Sequence, residues 1–235
     1  MMSNSKLATV KVPADKGNYT KGRQGRKISM ITIHHMAGIM TAKQCGKVFQ
    51  KKGRAGSTHY GVGIDGKIGL YVDEKNTAWS NTNWIANTKS VTIETSNDKR
   101  GGKWHVSDKT LNQLIKLVAD IAKRNDLGKL VKGKNLTWHS MYCATECPGD
   151  YLRSKISYIA EKANEINNKK PAKFKSYKVV IDTDELNVRA KPSVNSKVVT
   201  VVKKGEVYTI VAEKNGFGQL KSKIGWIYLK YTKKK

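Results

Sequence analysis

The sequence predicts an α/β domain, a mixed central sheet flanked by helices, with a small all-β barrel after it. Three observations carry this expectation. The runs SMITIHH (29–35) and SVTIET (90–95) are β-branched and alternate as half-buried strands do. Leu111, Leu114, Ile115, Val118, Ile121 and Ala122 recur at three and four residues, the period of a helix with one apolar face. From Tyr177 onward that period disappears, and short β-branched runs (KVVI, KVVTVV, VYTIVA, GWIYL) alternate with turn signals. The expected boundaries are 1–166 for the first domain, 167–176 (NNKKPAKFKS, basic, with one Pro) for a linker, and 177–235 for the barrel.

In chain order, residues 1–27 are polar and read as an irregular lead-in. In the strand that follows, Ile31 and Ile33 point one way, and Thr32 and His34 the other. Thr41 is an N-cap candidate for a short helix to Lys52 that turns Val48 and Phe49 inward. Asp65-Gly66 between two alternating runs is a hairpin signal, with His59 and Tyr60 on its first strand. His59 either faces a cleft or hydrogen-bonds within the sheet. The segment 76–87 reads as an Asn-rich loop whose Trp79 and Trp84 either line a groove or cap the core. In the strand near 91–95, Thr92 and Glu94 share one face. A carboxylate in such a run lies at a solvent edge or in a site, because burial without a partner is costly. Ser107 caps the long helix, Asn125 to Gly128 ends it, and a last helix spans about 151–166.

The chain has 235 residues, 45 Lys+Arg and 18 Asp+Glu, for a net charge of +27. Such an excess attracts polyanions, whether nucleic acid, anionic lipid or the anionic polymers of a Gram-positive wall. No aromatic-basic motif of a nucleic-acid-binding fold accompanies it, so no nucleic-acid partner is expected. No apolar run is long enough for a membrane span, so no membrane insertion is expected. The N-terminus lacks a signal peptide's apolar core, and the three cysteines form no disulfide framework. Both features fit a chain made in a reducing cytoplasm. The acids are too few and scattered to suggest the facing carboxylates of a glycosidase.

The stretch LTWHSMYCATECPGDYL (136–152) carries the chemistry. It sets His139 and Cys147 eight positions apart, the second closed by a Cys-Pro-Gly turn. Imidazole nitrogen and thiolate sulfur are ligands that Zn2+ prefers, and the HisHis pair at 34–35 is the obvious donor of a third. Three protein ligands leave one tetrahedral position open, the pattern of a catalytic rather than a structural zinc.

ITIHHMAG, HYGVGIDGKIGLYV, VTIET, TWH and ATECPGDYL resemble, in order, the zinc-dependent N-acetylmuramoyl-L-alanine amidases of phage endolysins, bacterial autolysins and peptidoglycan recognition proteins. The resemblance spans nearly all of 28–166. It implies Zn2+ held by His34, His139 and Cys147, peptidoglycan as substrate, and cleavage of the amide between muramic acid and L-alanine. It makes Glu94 the catalytic glutamate and Thr145 a catalytic residue near the substrate oxygen. The family's substrate-contacting tyrosine near the hairpin falls where this chain reads Thr58-His59-Tyr60, so His59 and Tyr60 are the candidates. Cys45 and Cys143 receive no role. LNVRAKPSVNSKVVTVVKKGEVYTIV and GFGQLKSKIGWIYLKY are similar to a bacterial SH3 domain, a module that holds wall hydrolases on the cell wall. Lacking a signal peptide, an endolysin of this kind would wait for a holin to open the membrane. An autolysin of the same chemistry, or a non-catalytic peptidoglycan receptor on the same fold, are the alternatives.

Overall fold

The computed structural model describes residues 4–168 and 174–235. The chain divides into two compact units, Met1–Lys169 and Lys170–Lys235.

The first unit holds β1 (Val10–Lys11), β2 (Tyr19–Thr20), β3 (Met30–His35), α1 (Ala42–Phe49), β4 (Tyr60–Val62), β5 (Ile68–Leu70), β6 (Thr77–Ala78), α2 (Trp84–Lys89), β7 (Ser90–Thr95), α3 (Asp108–Arg124), β8 (Leu136–Trp138) and α4 (Gly149–Asn168). Six strands form one mixed sheet in the order β1-β5-β4-β7-β3-β8. Only the β4/β5 hairpin is antiparallel; β4, β7, β3 and β8 run parallel to one another, and β1 runs parallel to β5. Gly66 takes φ +71° in the hairpin turn, a conformation that costs other residues energy.

Alternation along β3 and β7 assigns the two faces. Ile31, Ile33, Val91 and Ile93 are fully buried and pack with Leu114, Leu117, Ile121, Leu152, Ile156 and Ile159 of α3 and α4. Each such aliphatic side chain contributes about 1.5–3 kcal/mol when removed from water. The opposite face is polar at these strands, with Thr32, His34, Thr92 and Glu94 at the matching positions. Hydroxyl pairs stitch it together, Thr32 to Thr137 and Thr58 to Thr92, each at 3.0 Å. One face of the sheet is therefore core, and the other is free to carry a site.

Helix ends follow local chemistry. Thr41 and Gln44 form a reciprocal capping box at α1, and the Ser107 hydroxyl accepts from Thr110 N at α3. Lys123 and Arg124 in the last turn of α3 complement its dipole.

Several expectations change. The lead-in is not wholly irregular: β1 adds to the sheet edge, β2 pairs with β6, and Arg23 is buried. Its first three residues lie outside the described ones. The 76–87 loop contains β6 and begins α2, which Asn83 caps by accepting from Ala86 N. The last helix begins at Gly149 and runs to Asn168, so it takes in the start of the expected linker; 169–173 lie outside the described residues.

The second unit is all β: β9 (Tyr177–Ile181), β10 (Glu185–Arg189), β11 (Val198–Lys203), β12 (Val207–Lys214), β13 (Phe217–Leu220), β14 (Trp226–Tyr228) and β15 (Thr232–Lys234). These strands pair antiparallel in the order β11-β10-β14-β13-β12-β9-β15, around Val179, Ile181, Val188, Ile210 and Ile227. At Gly225 a Cβ would sit 2.6 Å from Arg189 O, which explains why glycine precedes Trp226 where β14 meets β10.

Candidate metal centre and active-site cleft

Strand register builds the centre. In the parallel β3/β7 pair, His34 lies opposite Glu94. On the other side of β3, Ile33 lies opposite Trp138, so His34 and His139 follow at the carboxyl ends of adjacent strands. Their rings are 4.5 Å apart, centroid to centroid. The carboxyl ends of parallel strands are where α/β sheets habitually place ligands.

Cys147 comes from the turn that leads into α4. Ser140 N donates to Cys147 O at 3.1 Å, which ties this turn back to the segment carrying His139. The thiol reaches the floor of the cleft, 3.7 Å from His34 Nδ1. His35 N donates to the same sulfur at 3.5 Å. One ligand atom each from His34, His139 and Cys147 lie within 4.8 Å of one another. Zinc bonds of about 2.0–2.1 Å to nitrogen and 2.3 Å to sulfur, at the tetrahedral angle, separate the two donors by about 3.6 Å. The His34–Cys147 spacing fits that value.

The proton states suit a cation. Burial, with His139 adding, pushes His34 down to about 3, so its imidazole is neutral. His34 Nε2 lies 3.0 Å from Asn81 Oδ1. That oxygen can only accept, so the proton sits on Nε2 and leaves the Nδ1 lone pair facing the sulfur. Asn81 is itself fixed: its Nδ2 donates to Ser90 Oγ, and its backbone N–H donates to Asn87 Oδ1. Burial lowers His139 as well. Burial, then the charge of Glu94, pushes the Cys147 thiol well above its ordinary value. A bound divalent ion reverses that last effect by favouring the thiolate.

Glu94 is half-buried beside these groups. Burial raises its carboxyl to about 8, against the opposing charge of Arg54. Its Oε2 is shut from bulk solvent and has no hydrogen-bond partner among the described residues. Thr145 also lines the cleft, and its Oγ1 accepts from Cys147 N at 3.2 Å, leaving the hydroxyl proton free to be donated. The cleft is open, with a volume of about 510 Å³, and Trp79, Trp104 and Arg54 form part of its wall.

His34, His139, Cys147, Glu94 and Thr145 thus gather in one cleft, whereas His59 and Tyr60 do not join them. Both are fully buried. His59 Nδ1 accepts from Thr92 N at 3.1 Å, and its Nε2 lies between Asn76 O and Arg23 Nη2. Tyr60 OH donates to Glu74 Oε1 at 2.6 Å and accepts from Ser5 N at 2.8 Å. Side chains saturated in this way are closed to substrate, and the expectation that they bind it is corrected accordingly. Of the two tryptophans, Trp79 lines the cleft, while Trp84 is exposed at the start of α2.

Sequence reasoning did not single out Asn81, Arg54 or Trp104. Asn81 sat in a loop already noted as Asn-rich. Trp104 packs edge-on against His35 at 4.9 Å, and no local pattern announces it. Cys143 had no assigned role; its sulfur lies 3.3 Å from His139 Nε2.

Residues 24–150 match the family profile described as N-acetylmuramoyl-L-alanine amidase. The chain belongs to this amidase family. Residues 184–233 of the amidase match the bacterial SH3 domain. Among solved structures, it is similar to PlyL, at 18% identity over 66% of this chain and 95% of that one, with a TM-score of 0.54. The PlyG catalytic domain is similar at 20% identity, over 69% of this chain and 98% of that one, with a TM-score of 0.55. The amidase LysC from Clostridium intestinale URNW is similar at 19% identity, over 68% and 97%, with a TM-score of 0.51. At such identities these likenesses establish a shared fold. A search of curated protein sequences found no match.

Proposed function

We propose that this amidase is an endolysin-type peptidoglycan hydrolase, dependent on Zn2+, that cleaves the amide between N-acetylmuramic acid and the L-alanine of the stem peptide. The observation that carries the reading is the convergence of His34, His139 and Cys147 within 4.8 Å, beside a carboxylate whose Oε2 has no partner among the described residues. The three donors would hold the ion. When bound, zinc supplies Lewis acidity, bringing the pKa of a water to roughly 7 and polarising the scissile carbonyl.

The protein's own groups do the rest. The Glu94 carboxylate takes a proton from the attacking water and returns it to the departing amine; burial raises this carboxyl toward neutrality, and the charge of a bound divalent ion would favour the carboxylate that accepts the proton. The Thr145 hydroxyl donates to the developing oxyanion while its oxygen braces the Cys147 turn. Asn81 keeps His34 in the tautomer that presents Nδ1. Trp79 and Trp104 offer flat apolar walls to sugar or peptide. The SH3 domain holds the enzyme on the wall, and a net charge of +27 adds attraction to anionic wall polymers. No helix among the described residues is long and apolar enough to cross a membrane. Synthesis in the cytoplasm, with holin-dependent release if the gene is a phage's, completes the proposal.

Digestion of purified walls tests it. New alanine amino termini that a chelator abolishes support the reading. New reducing sugar ends would replace it with a glycosidase.

A further inference from the structure

We infer that Arg54 sets the specificity of the cleft by binding a free carboxylate on the stem peptide of the substrate. The inference rests on the amidase reading proposed above.

Arg54 is exposed on the wall of the cleft that contains His34, His139, Cys147 and Glu94. Among the described residues no ion pair involves its guanidinium. Its charge therefore borders the space that substrate enters, held in no ion pair among the described residues and acting at longer range on Glu94. A structural arginine looks different in the same chain. Arg124 pairs with Glu74 and Asp120, and buried Arg23 donates to the carbonyls of Glu74, Thr88 and Ser90.

Arg54 is also held in place. Its Cζ lies over the Phe49 ring, 5.2 Å from the centroid, a cation–π contact that holds the guanidinium without using its N–H groups. The loop beneath it is clasped by Asn18, which is fully buried. Asn18 Nδ2 donates to Phe49 O at 2.9 Å and to Lys51 O at 2.8 Å, and Asn18 Oδ1 accepts from Ala55 N at 3.2 Å. Three bonds from one side chain thus fix both ends of the segment carrying Arg54, and Ala55 is kept at φ +56°, a conformation alanine seldom adopts. Ordering this loop before substrate arrives lowers the entropy lost on binding. A planar fork with free N–H edges suits a carboxylate, which it can engage through two parallel bonds. The proposed substrate supplies one: where the second stem residue is a glutamate joined through its side chain, its α-carboxylate remains free unless amidated.

The test uses the full chain with zinc and two muramoyl tripeptides that differ only in whether that carboxylate is an acid or an amide. Alanine amine release is measured for wild type, Arg54→Gln and Arg54→Lys. The expected result is a wild-type preference for the acid of roughly tenfold in kcat/KM, the scale of one charge-assisted bond at a solvated site. The preference should lie mainly in KM, collapse in Arg54→Gln and survive in part in Arg54→Lys. Loss of the Arg54 charge also acts on Glu94, but that effect is common to both substrates and cancels in the ratio. No preference in wild type, or an acid-to-amide ratio unmoved by Arg54→Gln, overturns the inference. If wild type releases no alanine amine from either tripeptide or from walls, the amidase reading falls, and this inference falls with it.

Discussion

Replacing Asn81 by alanine tests the logic of the proposed metal centre at a residue outside its ligand set. Asn81 is fully buried, and its Oδ1 is 3.0 Å from His34 Nε2. Without that acceptor, the Nε2–H is left unpaired in a buried site, at a cost of about 1–3 kcal/mol. The imidazole can escape the cost by moving its proton to Nδ1. That is the atom facing Cys147 Sγ at 3.7 Å, so the escape removes the lone pair a metal needs. Binding zinc then restores the penalty, and 1–3 kcal/mol corresponds to a loss of roughly 5- to 150-fold in affinity. Removal of such supporting partners elsewhere costs about 10- to 100-fold, the same scale. The assay is competition between apo-protein and a chromophoric chelator at fixed pH, with the thermal midpoint of the apo-protein measured alongside. Asn81→Asp is the control. It loses the same Nδ2 donation to Ser90 Oγ but keeps an acceptor for His34, so its zinc affinity should stay within a few-fold of wild type or rise. Equal affinities for Asn81→Ala and wild type would refute the tautomer argument, as would equal losses in both variants.

Other expectations follow from the same geometry. Glu94→Gln preserves shape and should keep its zinc while kcat falls by about 10²- to 10⁴-fold; full turnover would show that proton transfer does not pass through this side chain. Cys147→Ser should lose the metal itself, seen as a drop in zinc per chain after dialysis, because a hydroxyl is a far poorer zinc ligand than a thiolate. Arg23→Met leaves the carbonyls of Glu74, Thr88 and Ser90 without that donor in the interior, so urea denaturation should register a loss of roughly 3 kcal/mol or more; an unchanged midpoint would contradict the account of this network. Retention on purified walls should weaken as NaCl rises from about 0.1 to 1 M, where screening shortens from roughly 10 to 3 Å, and binding indifferent to salt would remove charge from the explanation.

Much of this molecule is set by short-range patterning. The alternation in 29–35 and 90–95 determines which side chains of β3 and β7 face the core, because successive Cβ atoms on a strand point to opposite sides. The stripe of α3 and its Ser107 cap are equally local. The ligand types in HisHis and His…Cys-Pro-Gly are legible for the same reason: metal chemistry depends on which atoms are offered, and those are written in the residues. What the sequence left open depends on register and on contacts between distant segments. Glu94 could have been a solvent-edge carboxylate until the β3/β7 pairing set it opposite His34. His59 and Tyr60 had the chemistry of substrate contacts, but Arg23, Asn76, Ser5 and Glu74 occupy their polar atoms, and those partners lie 14 to 55 positions away. Asn81 is 47 positions from His34, and the Asn18 clasp is 31 to 37 from the loop it holds. Hydrogen bonds of this kind follow from where the chain's packing brings each donor and acceptor. Local sequence motifs therefore reached the donors, and tertiary packing chose which of them stay free to act.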